Sequence, residues 1–140
     1  MKSYQLFALI SMFFAGFTAV VAKAGLKNVG ADTGLLVRTC FVFVLVWLNF
    51  IASSSIKDFY NLSFKDIFLL GFSALTTTIS WIFYYKAIKI GNVSEVALID
   101  KASIIVTLLL SFIFLHEQLT WKIGLGAMLI LSGLYVIAWK

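Results

Sequence analysis

Hydrophobic residues fall into five long runs along this chain, separated by short polar segments. The runs cover residues 6–26, 35–52, 67–87, 93–115 and 121–139. A helix of about 20 residues, rising about 1.5 Å per residue, crosses the roughly 30 Å hydrocarbon layer of a bilayer. The pattern therefore predicts an all-α integral membrane protein, in which residues 1–140 form one bundle of five transmembrane helices.

The fourth run is unusual because it carries two adjacent charged residues, Asp100 and Lys101, about a third of the way along it. A central Asp or Lys costs about 2.5–3.5 kcal/mol on insertion, whereas each Leu, Ile, Val or Phe contributes about −0.3 to −0.6 kcal/mol. These terms nearly cancel, so the helix needs neighbours in order to insert. Ionisable side chains inside a span usually face the bundle interior and mark ion or substrate paths.

Helical spacing gives the two charges different surroundings, since adjacent residues lie about 100° apart around the axis and do not share a face. Asp100 lies on a stripe with Ser103 and Thr107, and Lys101 lies on an apolar stripe. We therefore expect Asp100 to line a cavity, and Lys101 to pair with another helix or to extend toward the headgroups. Asp100, Lys101 and Ser103 are candidate substrate-binding residues. The alternative is that both charges form structural salt bridges with other helices.

Hydroxyl and aromatic residues are concentrated in the third run, where Thr77, Trp81 and Tyr84 recur on one side at helical spacing. Trp81 and Tyr84 have flat apolar faces with polar tips, which suit the lining of a ligand cavity. All three residues therefore join the candidate substrate-binding set. The alternative is that the tyrosines and Lys86 form an interfacial belt with a charged anchor.

The composition excludes an ordinary globular domain and a disordered chain, because 62% of the residues are hydrophobic, 12% are charged and the mean hydropathy is +1.05. The net charge of +5 comes from lysines in loops and at helix ends, so we expect no nucleic acid partner. Cys40 is the single cysteine and cannot form an intramolecular disulfide. The chain has no proline, so no helix is expected to be interrupted in the usual way.

Five spans place the two ends of the chain on opposite sides of the membrane. The amino-terminal side then carries Lys2, Lys57, Lys65 and Lys122, and the other side carries Lys23, Lys27, Lys86, Lys89 and Lys140. Orientation follows the asymmetry of Lys and Arg between the two sides, so this near balance predicts insertion in both orientations. Lys23, Arg38 and Glu95 lie in the same half of the membrane as Asp100 and Lys101, which predicts an asymmetric charged layer.

Small residues line parts of two predicted helices and favour close helix packing. On the first run they are Ala8, Ser11, Ala15, Ala19 and Ala22. On the fifth run Gly126 and Gly133 lie seven residues apart and so nearly on one face. This glycine face fits either a seam between two copies of the chain or packing within one copy.

Several motifs recur in an order that is typical of one family. They are Ala22-Lys23-Ala24-Gly25-Leu26 at the end of the first run, Arg38 early in the second, the tyrosine-rich end of the third, and Leu115-His116-Glu117-Gln118-Leu119-Thr120 after the fourth. With these motifs the chain, over residues 6–138, resembles a single EamA-type unit of the drug/metabolite transporter superfamily. It departs from the usual pattern in lacking a proline early in the fourth run and in having His116 where a glycine is usual.

The resemblance implies a fold and a function. The chain is expected to equal one half of a ten-helix inverted-repeat transporter and to work as an antiparallel homodimer, as the lysine balance also indicates. It is expected to move a small amino acid-like or amphipathic metabolite by alternating access. The expected location is the inner membrane of a prokaryote, as a multi-pass protein in contact with lipid.

An intramembrane enzyme and an accessory membrane subunit are two other classes of function. The chain lacks a His-Glu-x-x-His zinc motif, a histidine within a span and a pair of intramembrane carboxylates, so we expect no enzyme. It has no glycine-rich nucleotide loop and no cluster of metal ligands, so we expect no cofactor and no metal. The alternative to a transporter is an accessory membrane subunit that pairs with another membrane protein.

Overall fold

The structure is a computed structural model and describes residues 2–53, 59–118 and 120–138. Its helices are α1 (Ser3–Gly25), α2 (Ala31–Ala52), α3 (Phe64–Ile90), α4 (Val93–Asp100), α5 (Ser103–Phe114) and α6 (Trp121–Ala138). The predicted fifth run reaches Trp139, and the lysine count includes Lys57 and Lys140. These three residues lie outside the described ranges, as does Leu119 of the motif that follows the fourth run.

The helices have the length and composition that a membrane requires. By these criteria α1, α2, α3 and the combined segment Val93–Phe114 can each cross a bilayer, while the apolar part of α6, Trp121–Ile137, is shorter. Most large apolar side chains are exposed on the surface of the chain. Lipid tails are as apolar as these side chains, so their exposure costs little in a bilayer. The prediction of an all-α membrane bundle is confirmed.

Local polar contacts begin several of these helices. The backbone N–H of Lys2 donates to Gln5 Oε1 at 2.9 Å before α1. Before α3, the backbone N–H of Ser63 donates to Asp66 Oδ2 at 3.1 Å. Before α6, the hydroxyl oxygen of Thr120 accepts from the backbone N–H of Ile123. Because the first N–H groups of a helix have no partner within it, contacts of this kind stabilise the start of the helix.

The chain divides into two compact units, residues 1–90 and residues 91–140. In the first unit α2 packs along α3. The buried residues of this unit are Ala19, Leu26, Leu35, Tyr85 and Ile88. They lie where the C-terminal ends of α1 and α3 meet the N-terminal end of α2. The core of the first unit is therefore at one end of its helices rather than along their length.

The second unit consists of α4, α5 and α6, and α4 contacts α6. The predicted fourth helix is divided here into α4 and α5 by a turn at Lys101 and Ala102. At this turn the N–H of Lys101 donates to Leu98 O at 3.1 Å and the N–H of Ala102 donates to Ile99 O at 2.9 Å. These bonds reach back three residues instead of four, which is the tighter 3₁₀ pattern.

Candidate functional site

Two lysines join the C-terminal ends of α1 and α3. Lys23 Nζ, in the last turn of α1, donates to the carbonyl oxygens of Ile88 and Lys89, the latter at 3.1 Å. Lys89 Nζ, in the last turn of α3, donates to the carbonyl oxygens of Leu26 and Lys27, the latter at 3.3 Å. The last carbonyls of a helix have no partner within it and carry partial negative charge, so each lysine caps the other helix.

Arg38, in the third turn of α2, lies against the aromatic side chains of α3. Its guanidinium carbon is 4.3 Å from the centre of the Trp81 ring and 5.9 Å from that of Tyr85. Trp81 and Tyr85 are four residues apart and therefore share a face of α3. Cation–π contacts of this kind fix the plane of the guanidinium.

One guanidinium nitrogen, Arg38 Nη1, is buried and has no hydrogen-bond partner among the described residues. The ion pairs found in the described ranges involve other residues: Lys86 with Asp32 at 3.7 Å, and Lys101 with Asp100 at 3.9 Å. A buried N–H without an acceptor is unfavourable, and more so when it belongs to a charged group. Arg38 is thus positioned to bind an acceptor from outside the described chain.

A cavity of about 400 Å³ adjoins Arg38 in the first unit. Its walls come from α1, from the loop that follows it, from the start of α2 and from Tyr85 of α3. The lining residues are Phe17, Thr18, Val21, Ala22, Gly25, Leu26, Val29, Gly34, Val37, Arg38 and Tyr85. Apolar side chains dominate, and Arg38 supplies the charge, as in many small-molecule sites.

The candidate residues of the third run lie in the first unit, on α3. Trp81 contacts Arg38, and the ring of Tyr84 lies 6.5 Å from that of Tyr85. Thr77 is exposed and donates to the carbonyl oxygen of Ser73 at 2.9 Å. Tyr85, which lines the cavity, was not among the candidates. Its spacing of four from Trp81 places the two rings on one face of α3, but the sequence does not show that this face meets Arg38.

The candidate charges of the fourth run lie in the second unit, at the turn between α4 and α5. Contrary to the expectation that Asp100 and Lys101 have separate surroundings, Lys101 Nζ lies 3.9 Å from Asp100 Oδ2. The tight turn and the long lysine side chain allow this pairing between neighbours. Both side chains remain accessible, with 41% of Asp100 and 65% of Lys101 exposed.

A second cavity, of about 460 Å³, lies within the second unit between α6 and the two parts of the fourth span. It is lined by Leu98, Lys101, Ser103, Ile104, Leu129, Ile130, Gly133, Leu134 and Ile137. Lys101 and Ser103 therefore lie at the cavity, whereas Asp100 is not among its lining residues. Glu95 is exposed in the first turn of α4, where a negative charge is favourable to the helix dipole.

The first unit thus brings Arg38 of α2 and Trp81 of α3 together. In the same unit, Lys23 of α1 donates to backbone carbonyls at the C-terminal end of α3. The second unit brings Asp100, Lys101 and Ser103 together at an interrupted helix. Each unit therefore offers one cavity and one charged group that adjoins it, Arg38 in the first and Lys101 in the second. Such a combination can bind a molecule with both an apolar part and a charged part.

Comparisons with known proteins agree on one class of protein. The family model described as the EamA-like transporter family matches residues 2–139. A relative from Sinorhizobium sp, described as an uncharacterized transporter in the cobO 3' region, is 31% identical over 137 residues, which cover 98% of this chain and 97% of the relative. No solved structure matches the chain significantly.

Proposed function

The chain belongs to the EamA-like transporter family and is a multi-pass membrane transporter, and from this premise we propose that it is a secondary transporter of a small metabolite. The proposed substrate is amino acid-like or otherwise small and amphipathic. The proposed mechanism is alternating access, in which two halves rock around a site near the middle of the membrane. The proposed location is the inner membrane of a prokaryote, consistent with the bacterial source of the relative.

The observation that carries this proposal is the interruption of the fourth span at its charged residues. Val93–Phe114 is long and apolar enough to cross a membrane, yet α4 ends at Asp100 and α5 begins at Ser103. Interrupted helices and ionisable residues within a span are typical of substrate and ion sites in secondary transporters. In the proposed mechanism Asp100 binds a cationic group of the substrate or carries a coupling proton. Trp81 and Tyr84, which lie in the first unit, are proposed separately as contacts for an apolar group.

The proposed working form is an antiparallel homodimer, and two packing features support it. Ala8, Ser11 and Ala15, from the small-residue face of α1, are exposed in the chain. A methyl group added at Gly126 or Gly133 would meet no atom of the described chain within 4 Å. Small-residue faces of this kind allow close approach of another helix, and within this chain the described residues do not use them in that way. The near balance of lysines on the two sides supports the antiparallel arrangement.

Counterflow in proteoliposomes tests the mechanism. A panel of amino acids and small amphipathic compounds is first screened by thermal stabilisation of the purified protein. A ligand at 100 times its Kd stabilises the folded state by about 2.7 kcal/mol if it binds only that state. Uptake of a labelled hit should saturate with its concentration and should accelerate when the vesicles are preloaded with unlabelled compound. Uptake that rises linearly and ignores preloading would contradict alternating access.

Asp100→Asn tests the assigned role of the interrupted span, with Asp32→Asn as the matched control. Both aspartates form exposed ion pairs with a lysine, but Asp32 lies at the start of its span, in the first turn of α2, and Asp100 lies well inside the fourth span. We expect the Asp100 variant to insert normally and to lose transport, and the Asp32 variant to retain it. Equal transport by both variants would remove Asp100 from the mechanism.

A further inference from the structure

We propose that the cavity of the first unit is a binding site for an organic carboxylate with an apolar body, and that Arg38 binds its carboxylate group. This inference rests on the proposed transport function and assigns its substrate class. It depends on three observations: the state of the Arg38 guanidinium, the lining of the cavity and the charges at this end of the helices.

The guanidinium is held in place by aromatic rings, but one of its nitrogens, Nη1, lacks a hydrogen-bond acceptor among the described residues. Trp81 and Tyr85 contact it at 4.3 and 5.9 Å, and Nη1 is buried without an acceptor among the described residues. A structural arginine at such a site normally donates to a carboxylate or to backbone carbonyls. The planar fork of N–H donors matches the two oxygens of a carboxylate, so a bound carboxylate would supply the missing acceptor.

The cavity determines the rest of the ligand. Its volume of about 400 Å³ lies in the usual range for small-molecule sites, and its walls are mainly aliphatic and aromatic. Gly25 leaves open space at the wall, since a methyl group added there would meet nothing within 4 Å. A compact apolar group fits this lining, whereas both acyl chains of a phospholipid would not fit the volume.

The surrounding charges favour an anion. Lys23 and Lys89 lie at the same helix ends and keep their positive charge, although both ammonium groups donate to backbone carbonyls. Asp32, at the start of α2, is paired with Lys86. Arg38 is the cation that lines the cavity, and its planar fork of donors matches the two oxygens of a carboxylate.

The experiment measures binding of three acids and of their uncharged amides. The probes are hexanoate, phenylacetate and indole-3-acetate, each beside its amide, added to purified protein in nanodiscs of zwitterionic lipid. Affinity is measured by calorimetry and thermal stabilisation. We expect at least one acid to bind at least tenfold more tightly than its amide, and Arg38→Gln to abolish that difference. Lys27→Gln removes an exposed charge near the same helix ends and should leave it unchanged.

A second variant keeps the test valid if Arg38→Gln does not fold. Gly25→Leu leaves Arg38 in place and adds a bulky side chain at a residue that lines the cavity, and the backbone at Gly25 does not need a positive φ angle. We expect it to weaken acid binding at least tenfold while the protein stays folded. Equal binding of acids and amides by the wild type would overturn the proposal, and so would acid binding that survives both variants.

Three further outcomes separate this proposal from a lipid site and from the transport function. If nanodiscs containing phosphatidylglycerol stabilise the wild type but not Arg38→Gln, and no acid binds, the site is a lipid headgroup site and the carboxylate proposal is wrong. If an acid binds through Arg38, but neither it nor any compound of the panel shows counterflow in proteoliposomes, the site is correct and the proposed transport function fails. If a different compound is transported and no acid binds, the transport function stands and the carboxylate site fails.

Discussion

Replacement of Lys89 by methionine should loosen the junction between the ends of α1 and α3. Methionine retains the apolar stem of lysine but removes the ammonium, which donates to the carbonyl oxygens of Leu26 and Lys27. Hydrogen bonds from charged groups contribute about 1.5–3 kcal/mol each. Because the two bonds share one donor group and the site is only partly buried, we expect a total loss of about 2–3 kcal/mol in the free energy of unfolding.

The matched control is Lys86→Met, three residues earlier on the same helix. Its ammonium lies 3.7 Å from Asp32, with 53% of the lysine side chain and 76% of the aspartate side chain exposed. Exposed ion pairs contribute about 0–1 kcal/mol, so this variant should be nearly as stable as the wild type. Unfolding by sodium dodecyl sulfate in mixed micelles, followed by circular dichroism, measures both. Equal stability of the two variants would refute the argument that reciprocal capping holds this junction.

A double-mutant cycle with Lys23→Met extends this prediction. Lys23 donates across the same junction in the opposite direction, to the carbonyls of Ile88 and Lys89. When one lysine is lost the helix ends can separate, and the other lysine then loses its geometry. The double variant should therefore cost less than the sum of the single variants, by about 1 kcal/mol, as is typical of groups in one network.

Two further predictions concern the chain outside this junction. His116 has a φ of +54°, a left-handed conformation that costs a non-glycine residue about 1–2 kcal/mol. His116→Gly should therefore raise the free energy of unfolding by about 0.5–1 kcal/mol, after the entropy of glycine in the unfolded chain is subtracted. The control Gln118→Gly, at a residue with ordinary φ, should give no gain, and an equal gain in both variants would contradict this reasoning. A reporter that is active on only one side of the membrane, fused after Lys140, should be active in a substantial fraction of copies on each side, and activity confined to one side would exclude dual topology.

The all-α membrane class was predictable because length and hydropathy alone decide which segments can cross a bilayer. Helix ends were harder to predict from hydropathy. The third run was predicted over 67–87, whereas α3 covers Phe64–Ile90. Its first turn is stabilised by Ser63 and Asp66, and its last turn by Lys23 of α1, which donates to the carbonyl oxygens of Ile88 and Lys89. A hydropathy scale scores such polar residues as unfavourable in a membrane helix, although their contacts with backbone groups stabilise the first and last turns.

The candidate site was predictable in its residue types more than in its contacts. Trp81 and Tyr84 of the third run were expected to line a cavity. Trp81 contacts Arg38, which lines the cavity of the first unit, but neither Trp81 nor Tyr84 is among the lining residues of that cavity. The partner of Trp81 could not be deduced, because the register of α2 against α3 depends on packing between helices and not on either sequence alone. The same holds for Tyr85, whose ring lines the cavity in place of the neighbouring Tyr84.

The interruption of the fourth span shows why the absence of proline is weak evidence for a continuous helix. Proline breaks a helix by removing an N–H donor, but a helix can also tighten locally while its N–H groups donate to carbonyls three residues earlier. The N–H groups of Lys101, Ala102, Ile104 and Ile105 all donate to the carbonyl three residues earlier. A backbone that remains bonded in this way does not pay the penalty of unsatisfied groups in an apolar layer. An interruption without proline is therefore compatible with a membrane. It also places Asp100 and Lys101 at the turn, where a change in the backbone hydrogen bonds would move a charged side chain.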